Sequence, residues 1–466
     1  MKELLKSYIN GKKVAVLGFG REGKSTLKKL LQIGGFEKLD ILDLNYIKRE
    51  AVDEILTEVN KNISITLICG ENYQKNLDGY DIVIKSPGIV LDKNIDTYTC
   101  EITSQTEIFF EKYKKQIIGI TGTKGKSTTT TLIYHILKNA GYDTVLAGNI
   151  GIPAFDIEED IHENTTIVFE MSSHMLEYMK VSPHIGVLMN IYEEHLDHYG
   201  TMEKYIAAKK NIYLNQEQED ICFINSQIED ESESKHIPVV SGDFFEHAKT
   251  EDRDLLLIIH SHIEFKYEDK IYKYDIPKDD IKLVGEHNYF DVAVAYGILK
   301  YIGMQDKDFE SGLVSYNPLP HRLQPIGVIN GVKYYDDSIS TICDTTINAL
   351  NSVGDAATVL IGGMDRGIDY SELIEYLSES TVENIILMYE TGSRIYDEIK
   401  NKFPDFKNIE RIVRTSDLEE AVKVAVKVTK PGKSCVLSPA AASYGYFKNF
   451  EERGNRFSQL VNLYKK

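Results

Sequence analysis

Short apolar runs that break into glycine-rich or polar turns, each followed by a segment with apolar positions three and four apart, recur along this chain. Buried parallel strands read as unbroken apolar runs and their helices as one-sided stripes, so the rhythm predicts successive βα units. A strand at 13–17 leads into Gly18-Phe-Gly20-Arg21-Glu22-Gly23 and a helix over 24–33. A second strand at 39–42 stops at Asp43, and a third at 81–85 runs into Ser86-Pro-Gly88. Further strands are expected at 116–120, 166–169 and 185–189, each ending in polar residues. The alternation from Arg253 to Tyr274 predicts meandering strands, and Gly285-Glu-His-Asn288 opens a helix running to Tyr301. Beyond Pro318-Leu-Pro320, read as a hinge, runs ending in Asp336-Asp337-Ser338, Gly362-Gly363 and Ser438-Pro439 form another such unit. The expected architecture is α/β, with three consecutive domains at 1–110, 111–317 and 318–466.

Composition narrows the class of partner. The 466 residues with 42% hydrophobic content can bury a large core, enough for several domains. A net charge of −19 argues against a broad nucleic-acid or anionic-membrane surface, so an anionic ligand must be held by local cations and amides. Five scattered cysteines have no metal-type spacing and an odd count, which fits a reducing cytoplasm. Neither a signal peptide nor a membrane-length apolar run is visible, and a soluble protein is expected.

The stretch Gly119-Ile-Thr-Gly-Thr-Lys-Gly-Lys-Ser-Thr128 carries the sharpest chemistry. A glycine-rich turn between strand and helix lets backbone N–H groups converge on phosphate oxygens, with the helix N-terminus adding its positive end. Gly122, Thr123, Lys124, Gly125, Lys126, Ser127 and Thr128 are thus candidate nucleotide ligands, although Ile120 stands where the strict spelling has glycine. Lys126 would reach the terminal phosphates and Ser127 a Mg²⁺ ion. Glu170 and His195, each just beyond a predicted strand, suggest a metal site shared with that nucleotide. By residue type Glu170 suits Mg²⁺, whereas His195 also reads as a hydrogen-bonding turn residue. In the first domain the glycine turn and Asp43 read as a nucleotide-binding βαβ unit, or as plain βα packing.

Several motifs occur here in the order found in Mur ligases. They are the phosphate loop, Asn190-Ile-Tyr-Glu-Glu-His-Leu-Asp197, Gly285-Glu-His-Asn288, Leu319-Pro-His-Arg322, Asp337-Ser338, Gly362-Gly-Met-Asp-Arg-Gly367 and Leu437-Ser-Pro-Ala-Ala-Ala-Ser443. The chain resembles that family over nearly its whole length, and the C-terminal stretch through Phe447-Lys-Asn-Phe-Glu-Glu-Arg-Gly454 is similar to the branch that couples D-glutamate to UDP-N-acetylmuramoyl-L-alanine. The resemblance implies a Rossmann-like UDP-sugar domain, a central P-loop ATPase domain and a C-terminal Rossmann-like domain. It also implies a cytoplasmic, monomeric, ATP- and Mg²⁺-dependent ligase of cell-wall precursor synthesis that forms an acyl phosphate. By residue match, Lys126, Lys209 and His195 are catalytic, with Lys209 carbamylated. Ser127, Glu170, His195 and Lys209 are metal ligands. Asn288, Arg322 and Asp337 contact the nucleotide. Gly20, Arg21, Glu22, Asp43, Ser86, Gly88 and Asn149 face the UDP-linked acceptor, and Thr341, Arg366, Ser443 and Phe450 the incoming amino acid.

The chain departs from that branch at two places. Asp337-Ser-Ile339-Ser-Thr-Ile342 stands where Asp-Ser-Lys-Ala-Thr-Asn is usual, and Met175 stands where glutamine is usual. A dicarboxylate held away from water needs charge-assisted donors, so losing a lysine bears on the amino acid accepted. D-Glutamate is the first expectation, with L-glutamate or another UDP-linked acceptor as alternatives. A folylpolyglutamate-type ligase fits less well, because that branch starts at the phosphate loop, and a non-catalytic nucleotide-binding module would not need the metal set.

Overall fold

The computed structural model describes residues 1–61, 63–228, 235–241, 254–283, 285–404, 406–407 and 409–465, apart from the side chains at 197, 287 and 344. Arg253, the expected start of the meander, lies outside these residues.

Three sheets organise the described chain. The first has strands β1 (Lys13–Leu17), β2 (Lys38–Asp43), β3 (Thr66–Cys69), β4 (Ile82–Lys85) and β5 (Glu101–Thr103), in the order β3-β2-β1-β4-β5, all parallel. β1 is buried at every position after Lys13, as a strand covered on both faces must be. The expected third strand is the fourth in the chain, because β3 was not foreseen. β3 and β5 are short edge strands with partly exposed side chains, so neither shows an apolar run. The helix after β1 spans Arg21–Ile33, starting three residues earlier than expected, with Gly20 as an extended N-cap and Glu22 in its first turn. An acid there is favoured by the positive end of the helix dipole.

The second sheet contains β6 (Ile117–Thr121), β7 (Thr144–Gly148), β8 (Thr166–Glu170), β9 (Ile185–Leu188), β10 (Ile221–Asn225), β11 (Lys235–Ser241), β12 (Leu255–Ile259), β13 (His262–Tyr267) and β14 (Lys270–Asp275). Their order is β14-β13-β12-β11-β10-β9-β6-β8-β7, with only β13 and β14 antiparallel to their neighbours. The meander read from the alternating pattern is the hairpin run from β12 to β14. The third sheet contains β15 (Gln324–Ile329), β16 (Val332–Asp336), β17 (Ala356–Ile361), β18 (Asn384–Met388), β19 (Ile412–Thr415) and β20 (Ser434–Leu437), in the order β15-β16-β20-β17-β18-β19.

One hydrophobic cluster runs through the first two sheets. It joins Val14, Val16, Leu27 and Ile41 to Phe109, Phe110, Ile117, Phe169 and Met171. Phe110 packs edge-on against Phe169 with ring centroids 5.1 Å apart, so the helix Gln105–Tyr113 is part of this core. Residues 1–276 and 290–313 accordingly form one compact unit, and residues 277–289 and 314–466 a second. The second unit has its own cores, one around Val359, Ile361, Leu373 and Ile385 and another around Tyr334, Leu360, Leu437 and Phe457. No helix among the described residues is long and apolar enough to cross a membrane.

Candidate active site

In an open α/β sheet the ligand crevice forms at the carboxyl ends of strands whose connections leave in opposite directions. In the second sheet that place lies beside β6, flanked by β8 on one side and β9 on the other. The phosphate loop follows β6, and the helix Lys126–Asn139 begins directly after it. Gly125, at φ +82°, caps that helix in the left-handed region, and a Cβ there would lie 2.7 Å from Asp291 Oδ1. Glycine alone meets both demands without cost.

Lys126 Nζ donates to the carbonyls of Gly122 at 2.8 Å and Thr123 at 2.9 Å, which places its ammonium over the loop. Lys209 reaches the same Gly122 carbonyl from the helix Met202–Lys210, also at 2.8 Å. Its side chain is 1% exposed and lies over the Tyr205 ring, whereas the neighbouring Lys210 is partly exposed. Burial, reinforced by the Lys126 and Lys124 charges and opposed by Glu194, holds the Lys209 amine well below the ordinary lysine range. The Tyr205 hydroxyl lies 2.9 Å from the Thr123 hydroxyl, and Asn190 Oδ1 accepts from Lys124 N at 2.8 Å, so the loop is braced from β9 and from the Lys209 helix.

Glu170 ends β8, paired with Ile120 of β6, and is 1% exposed. Its Oε1 accepts from Asn149 Nδ2 at 2.7 Å, while Oε2 has no hydrogen-bond partner among the described residues. A buried carboxylate oxygen without a partner is costly unless a cation or donor completes it. This residue set therefore fits a hard cation, for which oxygen ligands such as Glu170 and Ser127 are the proper type. His195 sits at φ +58°, its Nε2 3.7 Å from Glu194 Oε2, and its ring packs edge-on against His174 at 4.8 Å. A non-glycine residue in the left-handed region is strained, and such strain gathers at functional sites.

The first sheet has its own switch point between β1 and β4. Gly18, at φ +94°, lies so close to Ser86 that a Cβ would stand 2.9 Å from the Ser86 Cβ, and Ser86 Oγ donates to the Gly18 carbonyl at 3.1 Å. Asp43 accepts from Phe19 N at 2.7 Å and Asn45 N at 2.8 Å, so both carboxylate oxygens already hold the turns around it. Arg21 Nη1 donates to the Gly151 carbonyl at 3.0 Å, and Asn149 N to the Glu170 carbonyl at 2.9 Å. The turn carrying Gly20, Arg21 and Glu22 is thereby tied through residues 149–151 to the end of β8. Gly88 is an exposed member of the turn after β4.

The remaining candidates belong to the second unit. Asn288 is buried in the first turn of the helix Glu286–Tyr301. Asp337, fully buried, accepts from Leu323 N at 3.0 Å and Ser438 Oγ at 2.7 Å. Burial lifts its carboxyl to about 6 against the bonds from Ser340, Ser438 and Leu323 and the Arg322 charge. Arg366 Nη2 donates to the Thr341 carbonyl at 2.8 Å, which brings those two together. Ser443 is buried, and Phe450 opens the helix Phe450–Asn462 with its carbonyl accepting from Ser338 Oγ at 2.8 Å. Under these loops lies Arg453, which is fully buried. It donates to Ser338 Oγ and carbonyl at 3.0 and 2.8 Å and to the Ala441 carbonyl at 3.0 Å.

Sequence reasoning passed over Asp291, Tyr205 and Arg453 as functional positions. Tyr205 could have been found, because it lies four residues before Lys209 and shares its helix face. Asp291 and Arg453 carry no local signal, since the burial that gives them weight comes from distant parts of the chain.

Residues 120–299 match the family model described as the Mur ligase middle domain. The chain is 33% identical over 476 residues to the UDP-N-acetylmuramoylalanine--D-glutamate ligase of Clostridium botulinum (strain Langeland), covering 98% of each. It is 34% identical over 480 residues to the enzyme of the same name from Acetivibrio thermocellus, covering 98% of this chain and 97% of that one. Among solved structures it is similar to the MurF ligase from Thermotoga maritima in complex with ADP, with a TM-score of 0.56 at 17% identity over 99% of this chain and 100% of that one. The UDP-N-acetylmuramate-alanine ligase MurC of the same organism gives 0.54, also at 17% identity, over 97% and 100%. These structural likenesses bear on the fold.

Proposed function

The chain belongs to the Mur ligase family, and from that membership we propose that it joins D-glutamate to UDP-N-acetylmuramoyl-L-alanine at the expense of ATP, a step of peptidoglycan precursor synthesis. The acceptor carboxylate takes the γ-phosphoryl group of ATP and ADP leaves. The glutamate amine then displaces phosphate from the acyl phosphate, losing a proton as the amide forms. One carboxylate oxygen departs with the phosphate.

The observation that carries this reading is that Lys126 and Lys209 share the Gly122 carbonyl just after β6, while Glu170 ends the neighbouring strand β8. Lys126 and the loop amides offset charge on the transferring group, and most catalysis of phosphoryl transfer is such positioning and charge stabilisation. Ser127, Glu170, His195 and a carbamylated Lys209 would hold Mg²⁺, which when bound offsets phosphate charge and aligns the oxygens in transfer. The buried surroundings of Lys209 favour a neutral amine, which adds CO₂ to give a carbamate and a proton. In this scheme residues 1–110 bind the UDP moiety through Gly20, Arg21, Glu22, Asp43, Ser86, Gly88 and, across from them, Asn149. Residues 111–317 bind ATP. Residues 318–466 bring Thr341, Arg366, Ser443 and Phe450 to the amino acid, with Arg322, Asp337 and the preceding Asn288 on the nucleotide. No disulfide joins the five cysteines, which supports a cytoplasmic enzyme, and we place it there as a monomer.

A second reading, L-glutamate as the nucleophile, has one observation in its favour. The loop 337–342 carries Ile339 and no lysine, and the Arg453 guanidinium beneath it is taken up by Ser338 and Ala441. Phosphate release from ATP, measured with the UDP-linked acceptor and D-glutamate, L-glutamate or neither, separates the two. Release with D-glutamate alone is expected, L-glutamate alone selects the second reading, and release independent of acceptor removes both.

A further inference from the structure

Lys85 is a buried cation that the reaction scheme leaves unused. It ends β4, is 6% exposed, and its Nζ donates to the carbonyls of the next two residues, Ser86 at 3.3 Å and Pro87 at 3.0 Å. Two acids balance it from different parts of the first unit, Glu22 in the first helical turn after β1 and Glu177 beyond β8. The Tyr178 ring covers it, with Nζ 5.6 Å from the ring centroid, and Tyr178 is itself held at φ +69°. Burial pushes the Lys85 ammonium down to about 8 despite both acids, so desolvation is the larger effect. A cation kept under such conditions must hold something in place.

What it holds is the carbonyl side of the turn Ser86-Pro87-Gly88. Pro87 has no N–H, and the Ser86 and Ile89 N–H groups donate to the Leu17 and Ser86 carbonyls, so Gly88 N is the turn donor left to meet an anion among the described residues, and a carbonyl oxygen aimed at that anion would repel it. We propose that Lys85 is a positioning residue for the UDP-linked substrate, clamping the Ser86 and Pro87 carbonyls inward so that the turn at the β1–β4 switch point is set to receive the diphosphate. The inference rests on the functional reading above, in that the anion is the substrate's diphosphate. Because Glu177 and Tyr178 follow Glu170 on the chain, the clamp also fixes that turn against the segment leading away from the ATP site.

Lys85→Met removes the clamp while keeping the length of the side chain, and Lys85→Met with Glu177→Gln also removes one of the two acids that balanced it. Calorimetric binding of UDP-N-acetylmuramoyl-L-alanine is compared with binding of a non-hydrolysable ATP analogue on the same preparations, alongside hydrogen exchange at residues 86–89. Both variants are expected to bind the UDP-linked substrate at least tenfold more weakly, to bind the ATP analogue within twofold of the parent, and to exchange faster at the turn. Lys85→Arg, which can still donate to both carbonyls, should recover most of the affinity. Folded variants that bind the UDP-linked substrate as the parent does would overturn the role of Lys85 and leave the ligase reading standing. A parent chain that binds the ATP analogue but not the UDP-linked substrate would overturn the ligase reading itself, and the clamp with it.

Discussion

The second and third sheets end alike, in strands that run into glycine or serine turns, yet they treat buried charge in opposite ways. Beside β6 Glu170 keeps a buried oxygen without a partner among the described residues, and two lysines crowd one carbonyl. Beside β16 and β20 most charges close on one another and on the loops, although Arg322 Nε and Glu451 Oε2 keep no hydrogen-bond partner among the described residues. His321 Nδ1 lies 2.7 Å from Asp336 Oδ2, Asp337 holds Leu323 and Ser438, and Arg453 ties Ser338 to Ala441. Buried ionic groups that are fully hydrogen-bonded shape a scaffold, whereas those with unmet valence are poised for a ligand. In the proposed scheme the chemistry lies beside the second sheet and the third supplies substrate loops.

Substitutions can break that contrast. The largest effect is expected from Lys126→Ala, which should lower kcat for ATP-dependent ligation by about 10³ or more, since it removes a cation from the transferring phosphoryl group. Its melting temperature should move little, and a steady-state assay with a thermal melt reads both. Lys209→Ala should abolish turnover comparably, and a small carboxylate such as acetate in the buffer should restore part of it. A variant that acetate leaves inactive would argue against a carboxylate-like role for that side chain. Arg453→Met should instead act on stability, costing roughly 3–5 kcal/mol because Asp336 and Asp337 lose a buried opposite charge. Denaturant titration measures it, and a stable but inactive Arg453→Met would undo the contrast.

The smallest effect is a pH dependence. Burial, opposed by the Thr106 hydroxyl and the Lys85 charge, lifts the Glu22 carboxyl to about 7, above its ordinary value of 4.5. Between those values the folded chain holds a proton that the unfolded chain has released, so stability falls as pH rises from about 4.5 to 7. Glu22→Gln removes that slope and should be the more stable form above pH 7, by about 3 kcal/mol. Denaturation at pH 5 and pH 8 checks the sign.

Much of the architecture could be read before any coordinates. β1, β6, β8, β9 and β20 are buried parallel strands, and burial on both faces writes itself as an unbroken apolar run. The phosphate loop was legible because its chemistry is local, with glycine, lysine and hydroxyl on consecutive residues. β3 and β5 were not, since a short edge strand needs no apolar face. Asp43 was read as a ligand contact, and its bond to Phe19 N comes from tertiary folding that spacing cannot reveal. The shared core of the first two sheets was hidden for the same reason, because Phe109 and Phe110 look like the end of a domain until Phe169 is placed against them.

The central claim is that the UDP-linked carboxylate is activated as an acyl phosphate at the phosphate loop. The most direct measurement supplies UDP-N-acetylmuramoyl-L-alanine labelled with ¹⁸O in its carboxylate, together with ATP and glutamate, and determines where the label goes by mass spectrometry. The account predicts one ¹⁸O in each phosphate released and one in each amide formed. Unlabelled phosphate released alongside amide product would contradict it.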